Sequence, residues 1–434
     1  MKFFFPDAQD YVDPSFDFFT ERRAEARRRH HDDLYAHEVF TTPPFDGLLV
    51  SKAIVDGVTG GVTGKYSLAQ RHRLLRLGVR SFFRLEDRPE FSSLETIGDC
   101  GAFSYVREAR PPFEVDEVID FYEQCGFDYG ISVDHVILEY DAGLDDSLFE
   151  LVPESVRNRQ AITLELAAEF WRRHSARGCR FTPIGVAQGW SPDSYAHAVK
   201  ELQRLGYRRI ALGGMVPLRS PDILACLERI AEVREPETGL HLLGVTRIEH
   251  IERFATYGVT SLDSTSPLRR AFKDDKDNYF TLDCAYTAVR VPQVEGNAKL
   301  QREIVAGKIK QPEARRLERA CLDALNRFDT GRCPLDQVLD LLDEYETLYA
   351  GKSRHRAVYE KVLSEAPWKQ CPCDICRELG IHVILFRGAE RNRRRGFHNV
   401  FVFHERLRHK VGVRVNSGAV GSTKSAQRAV NAHQ

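Results

Sequence analysis

The stretch FTPIGVAQGWSPDSYAHAVKELQRLGYRRIALGGM, from Phe181 to Met215, contains a complete strand–helix–strand pattern. Its first apolar run, Phe181–Ala187, has the length of a buried strand, and the amphipathic segment that follows, Asp193–Leu205, is closed by Gly206. A second apolar run covers Arg209–Met215. Because two strands joined through a helix run parallel, this stretch predicts one βαβ unit of a parallel sheet.

The same alternation extends in both directions, from about residue 48 to residue 267. The apolar runs that predict strands are Leu48–Val55, Ser81–Leu85, Ile97–Val106, Tyr129–Leu138, Phe181–Ala187, Arg209–Met215, Leu240–Val245 and Val259–Asp263. Eight such runs favour an α/β fold of the (β/α)8 TIM-barrel type over a doubly wound sheet. Because TIM barrels gather their catalytic groups at the C-terminal ends of the strands, polar residues at those ends are the first candidates for a site.

The composition narrows the class of protein only in part. The 434 residues carry 62 Lys and Arg against 63 Asp and Glu, so the net charge gives no attraction to a polyanion and any nucleic-acid surface requires local clustering. We find no apolar run of about 18 residues and no signal-peptide core at the start. Most of the ten cysteines are isolated within apolar runs, which is not the pattern of a secreted disulfide framework. We therefore expect a soluble cytoplasmic protein with no membrane partner.

The chain changes character after Pro267, which suggests a division into domains. We expect an N-terminal extension over 1–45, a catalytic barrel over 46–295, and a charged helical insertion over 296–368. A zinc-binding subdomain is expected over 369–412. The Gly-, Ser- and Ala-rich residues 413–434 predict a disordered tail.

A cysteine cluster lies within this C-terminal part: Cys371, Cys373 and Cys376 fall within six residues. Neither core packing nor one disulfide accounts for that density, whereas a tetrahedral zinc site needs only one more ligand. Three nearby histidines offer one: His382, His398 and His404. We favour His398, which precedes Asn399 and an apolar stretch. Four protein ligands would make the Zn²⁺ site closed and therefore structural.

Several predicted strands end in polar or small residues. Asp99 lies between small residues with Phe103 close behind it, Asp263 is followed by small polar residues and a proline, and Asp134 lies between residues that favour strands. Gln188 ends another strand, and Gly213-Gly214 ends a further one with backbone N–H groups free for a ligand. Three carboxylates, an amide and a diglycine at one barrel rim predict a site for a polar planar molecule.

These segments resemble the tRNA-guanine transglycosylases, zinc-containing (β/α)8 barrels that exchange a guanine base through a covalent nucleotide intermediate. Their Asp-Ser-Gly-Gly-Phe-Gln segment is similar to Asp99–Ser104, and their Val-Gln-Gly segment to Ala187–Gly189. The Gly-Gly loop is similar to Gly213-Gly214, and Asp263 stands at the position of the nucleophile, ahead of a proline and Arg269. The zinc motif, which is the most specific, is similar to Cys371, Cys373, Cys376 and His398.

The sequence also departs from the family pattern. Ala102 replaces a glycine, Ser104 stands where the family has glutamine, Met215–Leu218 differ from the usual Leu-Ala-Val-Gly, and a long helical insertion separates Asp263 from the cysteines. With the Phe-Phe-Phe-Pro-Asp start and Pro43–Gly47, these features resemble the DpdA-like branch, whose members insert 7-cyano-7-deazaguanine (preQ0) into DNA. The resemblance therefore implies DNA as the polymer and a free 7-deazaguanine base as the second substrate.

The resemblance implies the following roles. Asp263 would attack C1′ of the nucleotide and Asp99 would relay protons to and from the bases. Asp134 and Gln188 would read the edge of the base, Gly213 and Gly214 would add backbone contacts, and Phe103 would stack on its face.

Basic clusters are the candidates for binding phosphates. Our first choice is the run Arg391, Arg393, Arg394 and Arg395, together with Arg269, and our second is Arg22, Arg23, Arg27, Arg28 and Arg29. A solvated helix face is the alternative for each run. The same exchange on tRNA remains open, as does a catalytically silent nucleic-acid-binding paralogue. The sequence leaves undecided whether an accessory protein opens the DNA.

Overall fold

The computed structural model of the chain describes residues 1–57, 63–144, 150–273 and 276–419. The chain forms two compact units. The first, here called the barrel unit, comprises Met1–Gln9, Phe45–Thr265 and His404–Gln434. The second, here called the metal unit after the zinc ligands predicted within it, comprises Asp10–Pro44 and Ser266–Phe403. We expected residues 413–434 to form a disordered tail, but the helix Gly388–Ala419 includes the first part of this segment. The rest of it, residues 420–434, lies outside the described residues.

The barrel unit is built on a closed sheet of eight parallel strands in sequence order, which confirms the predicted fold class. The strands are β1 (Lys2–Pro6), β2 (Gly47–Ser51), β3 (Glu95–Asp99), β4 (Tyr129–Ile131), β5 (Thr182–Ala187), β6 (Arg209–Leu212), β7 (Gly239–Leu242) and β8 (Val259–Asp263). The sheet closes because β1 pairs with both β2 and β8. Inward-facing side chains fill its interior: Phe4, Leu49, Ile97, Ile131, Ile184, Val186 and Ala211.

Helices connect the strands on the outside of the barrel. They are α1 (Lys52–Asp56), α2 (Leu68–Phe82), α3 (Val115–Cys125), α4 (Glu154–Arg177), α5 (Pro192–Leu205), α6 (Ser220–Ala231) and α7 (Ile251–Thr256). Their ends follow local rules: Ser191 caps α5 in a capping box with Ser194, and Gly206 ends it in the left-handed conformation. A short 3-10 helix, Ala102–Tyr105, follows β3.

The first strand corrects the sequence-based prediction. We expected residues 1–45 to be an extension, yet β1 is a barrel strand whose Phe3, Phe4 and Phe5 are all buried. A barrel strand is covered on both faces and therefore reads as a continuous apolar run instead of an alternating one. The predicted strand Ser81–Leu85 was wrong, because α2 continues to Phe82 and a turn follows it. Its apolar residues are buried at the end of this helix and in the turn that follows.

The metal unit is mostly helical. Its helices are α8 (Ser266–Lys273), α9 (Ala298–Val305), α10 (Gln311–Asp329), α11 (Leu335–Ala350), α12 (Arg356–Glu365), α13 (Pro367–Gln370), α14 (Asp374–Leu379) and α15 (Gly388–Ala419), of which α15 continues into the barrel unit. Two small sheets pair β9 (Tyr279–Phe280) with β10 (Ala285–Tyr286), and β11 (Val289–Arg290) with β12 (Leu385–Phe386). Among the described residues, no helix combines the length and apolar character needed to span a membrane.

Candidate active site and metal centre

Asp99 ends strand β3 at the C-terminal rim of the barrel, beside Ser51 at the end of β2. Loss of hydration, together with the negative charges of Asp134 and Asp263, raises the pKa of this carboxyl to about 7. Interactions with Gly101 and Ser51 oppose the rise. The three aspartates predicted from the strand ends therefore lie within electrostatic reach of one another, at one end of the barrel.

Asp134 lies just beyond β4 and is almost fully buried. Its Oδ2 accepts a hydrogen bond of 2.7 Å from Nε2 of Gln188, and its Oδ1 lies 3.3 Å from Sγ of Cys100. Burial raises the pKa of Asp134 to about 6, although these two donors favour its charged form. Tyr105 donates hydrogen bonds to Cys100 and to the backbone oxygen of Asp134, which fixes the geometry of the group.

Gly213 and Gly214 follow strand β6 and lie against Gln188. A Cβ at Gly213 would lie 2.1 Å from Nε2 of Gln188, and one at Gly214 would lie 2.3 Å from the backbone oxygen of Ile137. Gly214 also has a positive φ of 71°. Gln188 lies between Asp134 and the backbone of Ile137, and its Oε1 accepts a hydrogen bond from the N–H of Ile137. Both positions therefore require glycine, because a larger residue would displace Gln188 or this part of the backbone.

Asp263 ends strand β8 and is held by its neighbours. Its Oδ1 accepts a hydrogen bond of 3.0 Å from the backbone N–H of Gly244 and lies 3.1 Å from Nε2 of His241. Nδ1 of the same imidazole lies 2.9 Å from Oγ of Ser261. The ring of His241, on strand β7, is thus fixed at both nitrogens, and the orientation of the Asp263 carboxylate is fixed with it. Sequence reasoning missed His241.

Two further predicted residues have exposed side chains. Phe103 lies on the 3-10 helix that follows β3 and is 54% exposed, so its ring is accessible from solvent. Arg269 lies on α8 of the metal unit and is exposed. Stacking by Phe103 and phosphate binding by Arg269 stay predictions.

In the metal unit, Cys371, Cys373, Cys376 and His398 come together, as their spacing predicted. Their ligand atoms all lie within 4.8 Å of one another. Nδ1 of His398 lies 3.6, 3.4 and 3.3 Å from the three sulfur atoms in that order. This group can hold a metal ion. His382 and His404, the other histidines considered, do not belong to the group: His382 packs against Phe18, and His404 contacts Asp46.

The surroundings of the cluster prepare His398 as a ligand. Its Nε2 lies 2.8 Å from the backbone oxygen of Phe280, to which it donates, and this leaves the lone pair of Nδ1 directed at the thiols. Tyr279 stacks on the imidazole at a centroid distance of 4.2 Å and places its hydroxyl 3.3 Å from Sγ of Cys376.

The arginine run of α15 corrects our prediction of a phosphate-binding surface. Arg391, Arg394 and Arg395 are buried, and each is engaged within the metal unit. Arg391 pairs with Glu21, Arg394 with Glu390, and Arg395 donates to backbone oxygens. A buried guanidinium requires such partners, so these side chains are not available to DNA in this structure. Arg393 is partly exposed and donates to the backbone oxygen of Tyr11.

The second arginine run is also largely engaged. Arg23 and Arg27 both contact Asp13, and Arg28 pairs with Asp32. Arg22 and Arg29 are exposed, and phosphate binding by these two stays a prediction.

A closed eight-stranded barrel with three aspartates at one rim, and a Cys3His group in the same chain that can hold a metal ion, are the features that the resemblance to the guanine-transglycosylase barrels implies. No protein-family model matches the sequence. A DNA-guanine transglycosylase from Salmonella montevideo is 49% identical over 418 residues, which cover 95% of this chain and 98% of that protein. The chain belongs to the DNA-guanine transglycosylase family and is an enzyme of the glycosyltransferase type.

Proposed function

We propose that this enzyme replaces guanine in DNA by preQ0 through a covalent intermediate on Asp263. The observation that carries the proposal is the oriented carboxylate of Asp263, held by His241 and Gly244 at the same rim as Asp99 and Asp134. Asp263 is held in a fixed orientation by its hydrogen-bond partners, and Asp99 has a pKa raised to about 7. This is the division of labour that a double displacement at a sugar carbon needs.

In the first displacement, a carboxylate oxygen of Asp263 bonds to C1′ of the target nucleotide as the C1′–N9 bond breaks. The electron pair of that bond leaves with guanine, and protonated Asp99 supplies the proton that neutralises the base. In the second displacement, Asp99 takes the proton from N9 of the incoming base. N9 then bonds to C1′, and the Asp263 carboxylate is released. Two inversions retain the configuration of the sugar.

The pKa of Asp99 suits both steps. A general acid and base works best when its pKa is close to the working pH, because both protonation states are then populated. Asp99 has a pKa raised to about 7 by loss of hydration and by the charges of Asp134 and Asp263. A carboxyl with the ordinary value of 3.8 would carry no proton to give to the departing guanine.

Asp134 and Gln188 are suited to the edge of the base. Guanine and 7-deazaguanines share an N1–H and an exocyclic amine, and a buried carboxylate can accept from both. Gln188 already donates to Asp134 and orients it. Because the two bases share this edge, one pocket can serve the leaving base and the incoming base in turn, with Phe103 stacking on either.

The nature of the substrates is supported by similarity. The Salmonella relative is named a DNA-guanine transglycosylase, which favours DNA over tRNA as the polymer. The preQ0 assignment depends on the resemblance to the DpdA-like branch. The target nucleotide must leave its base stack to reach a barrel rim, so a flipped nucleotide is part of the proposal.

We propose Zn²⁺ as the metal of the Cys3His group. At tetrahedral angles, Zn–S bonds of about 2.3 Å and a Zn–N bond of about 2.0–2.1 Å place sulfur and nitrogen about 3.6 Å apart. The distances from Nδ1 of His398 to the sulfur atoms are 3.3–3.6 Å, close to that value. Four protein ligands leave no open position, so the ion would stabilise the fold of the metal unit and take no part in the displacement.

The test is incorporation of labelled preQ0 into plasmid DNA or tRNA, together with trapping of the intermediate. Without an incoming base, wild-type enzyme and DNA are expected to form a covalent species that survives denaturing electrophoresis. The Asp263→Asn variant is expected to form none while keeping its metal content. Asp283→Asn, at an exposed aspartate of the metal unit, is the matched control and should behave as wild type. Turnover retained by Asp263→Asn, or label found in tRNA alone, would reject the proposal.

A further inference from the structure

The segment between Asp56 and Glu86 is unusual in a protein with a net charge of −1. It contains six Lys and Arg residues and no Asp or Glu. Most of these cations lie on α2, the first long helix of the barrel unit. The segment was not among the basic clusters that we predicted as phosphate-binding, because its cations are spread over a helix instead of adjacent in the sequence.

The basic residues near the start of α2 are accessible. Lys65, His72 and Arg76 are exposed, and Arg71 is partly exposed. We call these four side chains the α2 basic face. By contrast, Arg80 donates to the backbone oxygens of Leu94 and Ser92 at the far end of the helix and does not belong to the face.

The α2 basic face lacks acidic partners. Within the described part of the chain, no carboxylate forms an ion pair with Lys65, Arg71 or Arg76, whereas arginines on neighbouring helices are paired. Arg173 and Arg177 of α4, for example, both contact Asp116 of α3. On α2, Arg76 is three residues from Arg73 and four from Arg80, and like charges at these spacings destabilise a helix by a few tenths of a kcal/mol per pair. A helix that keeps uncompensated cations in a neutral protein is thus better suited to an anionic partner than to solvent alone.

The start of α2 is fixed at the rim that carries the aspartates. The hydroxyl of Tyr66 donates a 2.6 Å hydrogen bond to Asp7, the residue that follows β1 at its C-terminal end. The backbone N–H of Lys65 donates to the oxygen of Ile54 in α1, which directly follows Ser51. Because Ser51 pairs with Asp99 in the sheet, the α2 basic face begins beside the proposed catalytic centre.

We propose that the α2 basic face binds the backbone phosphates of DNA next to the guanine that enters the barrel. The helical stretch Leu68–Leu77, before the break at Gly78, is about 15 Å long. At about 3.4 Å of duplex axis per phosphate in each strand, this matches roughly four phosphates. The contacts are sequence-independent, so they would hold the strand in position while the residues of the barrel rim select the base.

This inference rests on the proposed function for the location of the target guanine. Its test measures DNA affinity and does not depend on base exchange. The variant Lys65→Gln/Arg71→Gln/Arg76→Gln removes three positive charges from exposed or partly exposed positions. The control Arg172→Gln/Lys200→Gln/Arg204→Gln removes the same charge from exposed positions on α4 and α5. Affinity for a fluorescent duplex is measured from 50 to 200 mM salt.

Each lost phosphate contact lowers the slope of log affinity against log salt by about 0.9. The slope of log affinity against log salt is therefore expected to be smaller in magnitude by about 2 to 3 in the α2 variant. This variant should also bind DNA at least tenfold more weakly at 100 mM salt. The control should match wild type. A Lys65→Arg/Arg71→Lys/Arg76→Lys variant should keep the wild-type slope, because either cation neutralises a phosphate, and this would exclude a folding defect as the cause.

An α2 variant with the wild-type slope and affinity would overturn the inference. Failure of the proposed function would look different. A wild-type enzyme that binds DNA through α2 but incorporates no labelled base would refute the exchange reaction and leave the DNA-binding face intact.

Discussion

Replacement of Asp99 by Asn is expected to stabilise the protein at neutral and alkaline pH while it abolishes base exchange. The carboxyl of Asp99 has a pKa of about 7 against an ordinary value of 3.8, because it loses hydration and faces Asp134 and Asp263. Ionising such a group in the folded protein is costly. The amide of Asn has a similar shape and no charge, so it removes that cost and also removes the proton relay.

The direction in which stability changes with pH follows from the proton bound to Asp99 in the folded and unfolded states. Between pH 3.8 and about 7 the folded protein holds a proton on Asp99 that the unfolded chain has lost. Stability from this group is therefore fully present below pH 3.8 and declines as the pH rises to about 7. At about 1.36 kcal/mol per pH unit the upper bound is about 4 kcal/mol. Because the carboxyl is partly exposed, solvent screening reduces this, and we expect about 1–2 kcal/mol.

The measurement is urea unfolding of wild type and Asp99→Asn at pH 5, 6, 7 and 8.5, followed by far-UV circular dichroism. The difference in unfolding free energy should grow in favour of the variant up to about pH 7 and then stay constant. Asp283→Asn, at an exposed position, should show no such trend. A variant that is less stable than wild type at pH 8.5, or a difference that does not depend on pH, would refute the assignment of a partly buried carboxyl whose pKa is raised by neighbouring charges.

Three further changes test the remaining parts of the site. His241→Gln should slow formation of the covalent species about 10- to 100-fold, because a hydrogen bond to a charged group is worth about 1.5–3 kcal/mol, with little change in DNA affinity; weaker DNA binding at an unchanged rate would contradict a positioning role for the imidazole next to Asp263. Cys376→Ser should lower the metal content below one ion per chain and lower the melting temperature of the protein; elemental analysis that still finds a full equivalent would dismiss this ligand. Gly213→Ala should raise the KM for the incoming base at least tenfold, since its Cβ would lie 2.1 Å from Nε2 of Gln188; an unchanged KM would show that Gln188 does not read the base.

The fold could be predicted where strands and helices alternate with clear ends. The βαβ segment from Phe181 to Met215 shows why. Its apolar run indicates a strand, and its capped amphipathic stretch and closing glycine indicate the two ends of a helix. Strand β1 has no such local signal: the run Phe3–Phe5 is short, and only pairing with β2 and β8 makes it a strand. The apolar Ser81–Leu85 was mistaken for a strand, since short buried runs look alike in a helix end and in a strand.

The candidate site could be predicted from the sequence only where the position of a residue along a strand determines where its side chain lies. Asp99 and Asp263 stand at strand ends, and barrel geometry brings such ends together. His241 could not be predicted, because its position beside Asp263 depends on strand register: it pairs across the sheet with Ser261, which places its ring against Asp263. The burial of Arg391 could not be predicted either, because its partner Glu21 lies 370 residues away in the sequence.

The rim gives two carboxyls of the same chemistry different surroundings. Asp263 accepts a hydrogen bond from the backbone N–H of Gly244 and lies beside Nε2 of His241, and these two contacts hold one of its oxygens in place. The charge of Asp134 acts on Asp99, where burial already disfavours ionisation. A nucleophile must be charged before it attacks, whereas a proton relay must be able to exist in both states. The same strand ends that bring the acids together therefore also give each the environment that its proposed step requires.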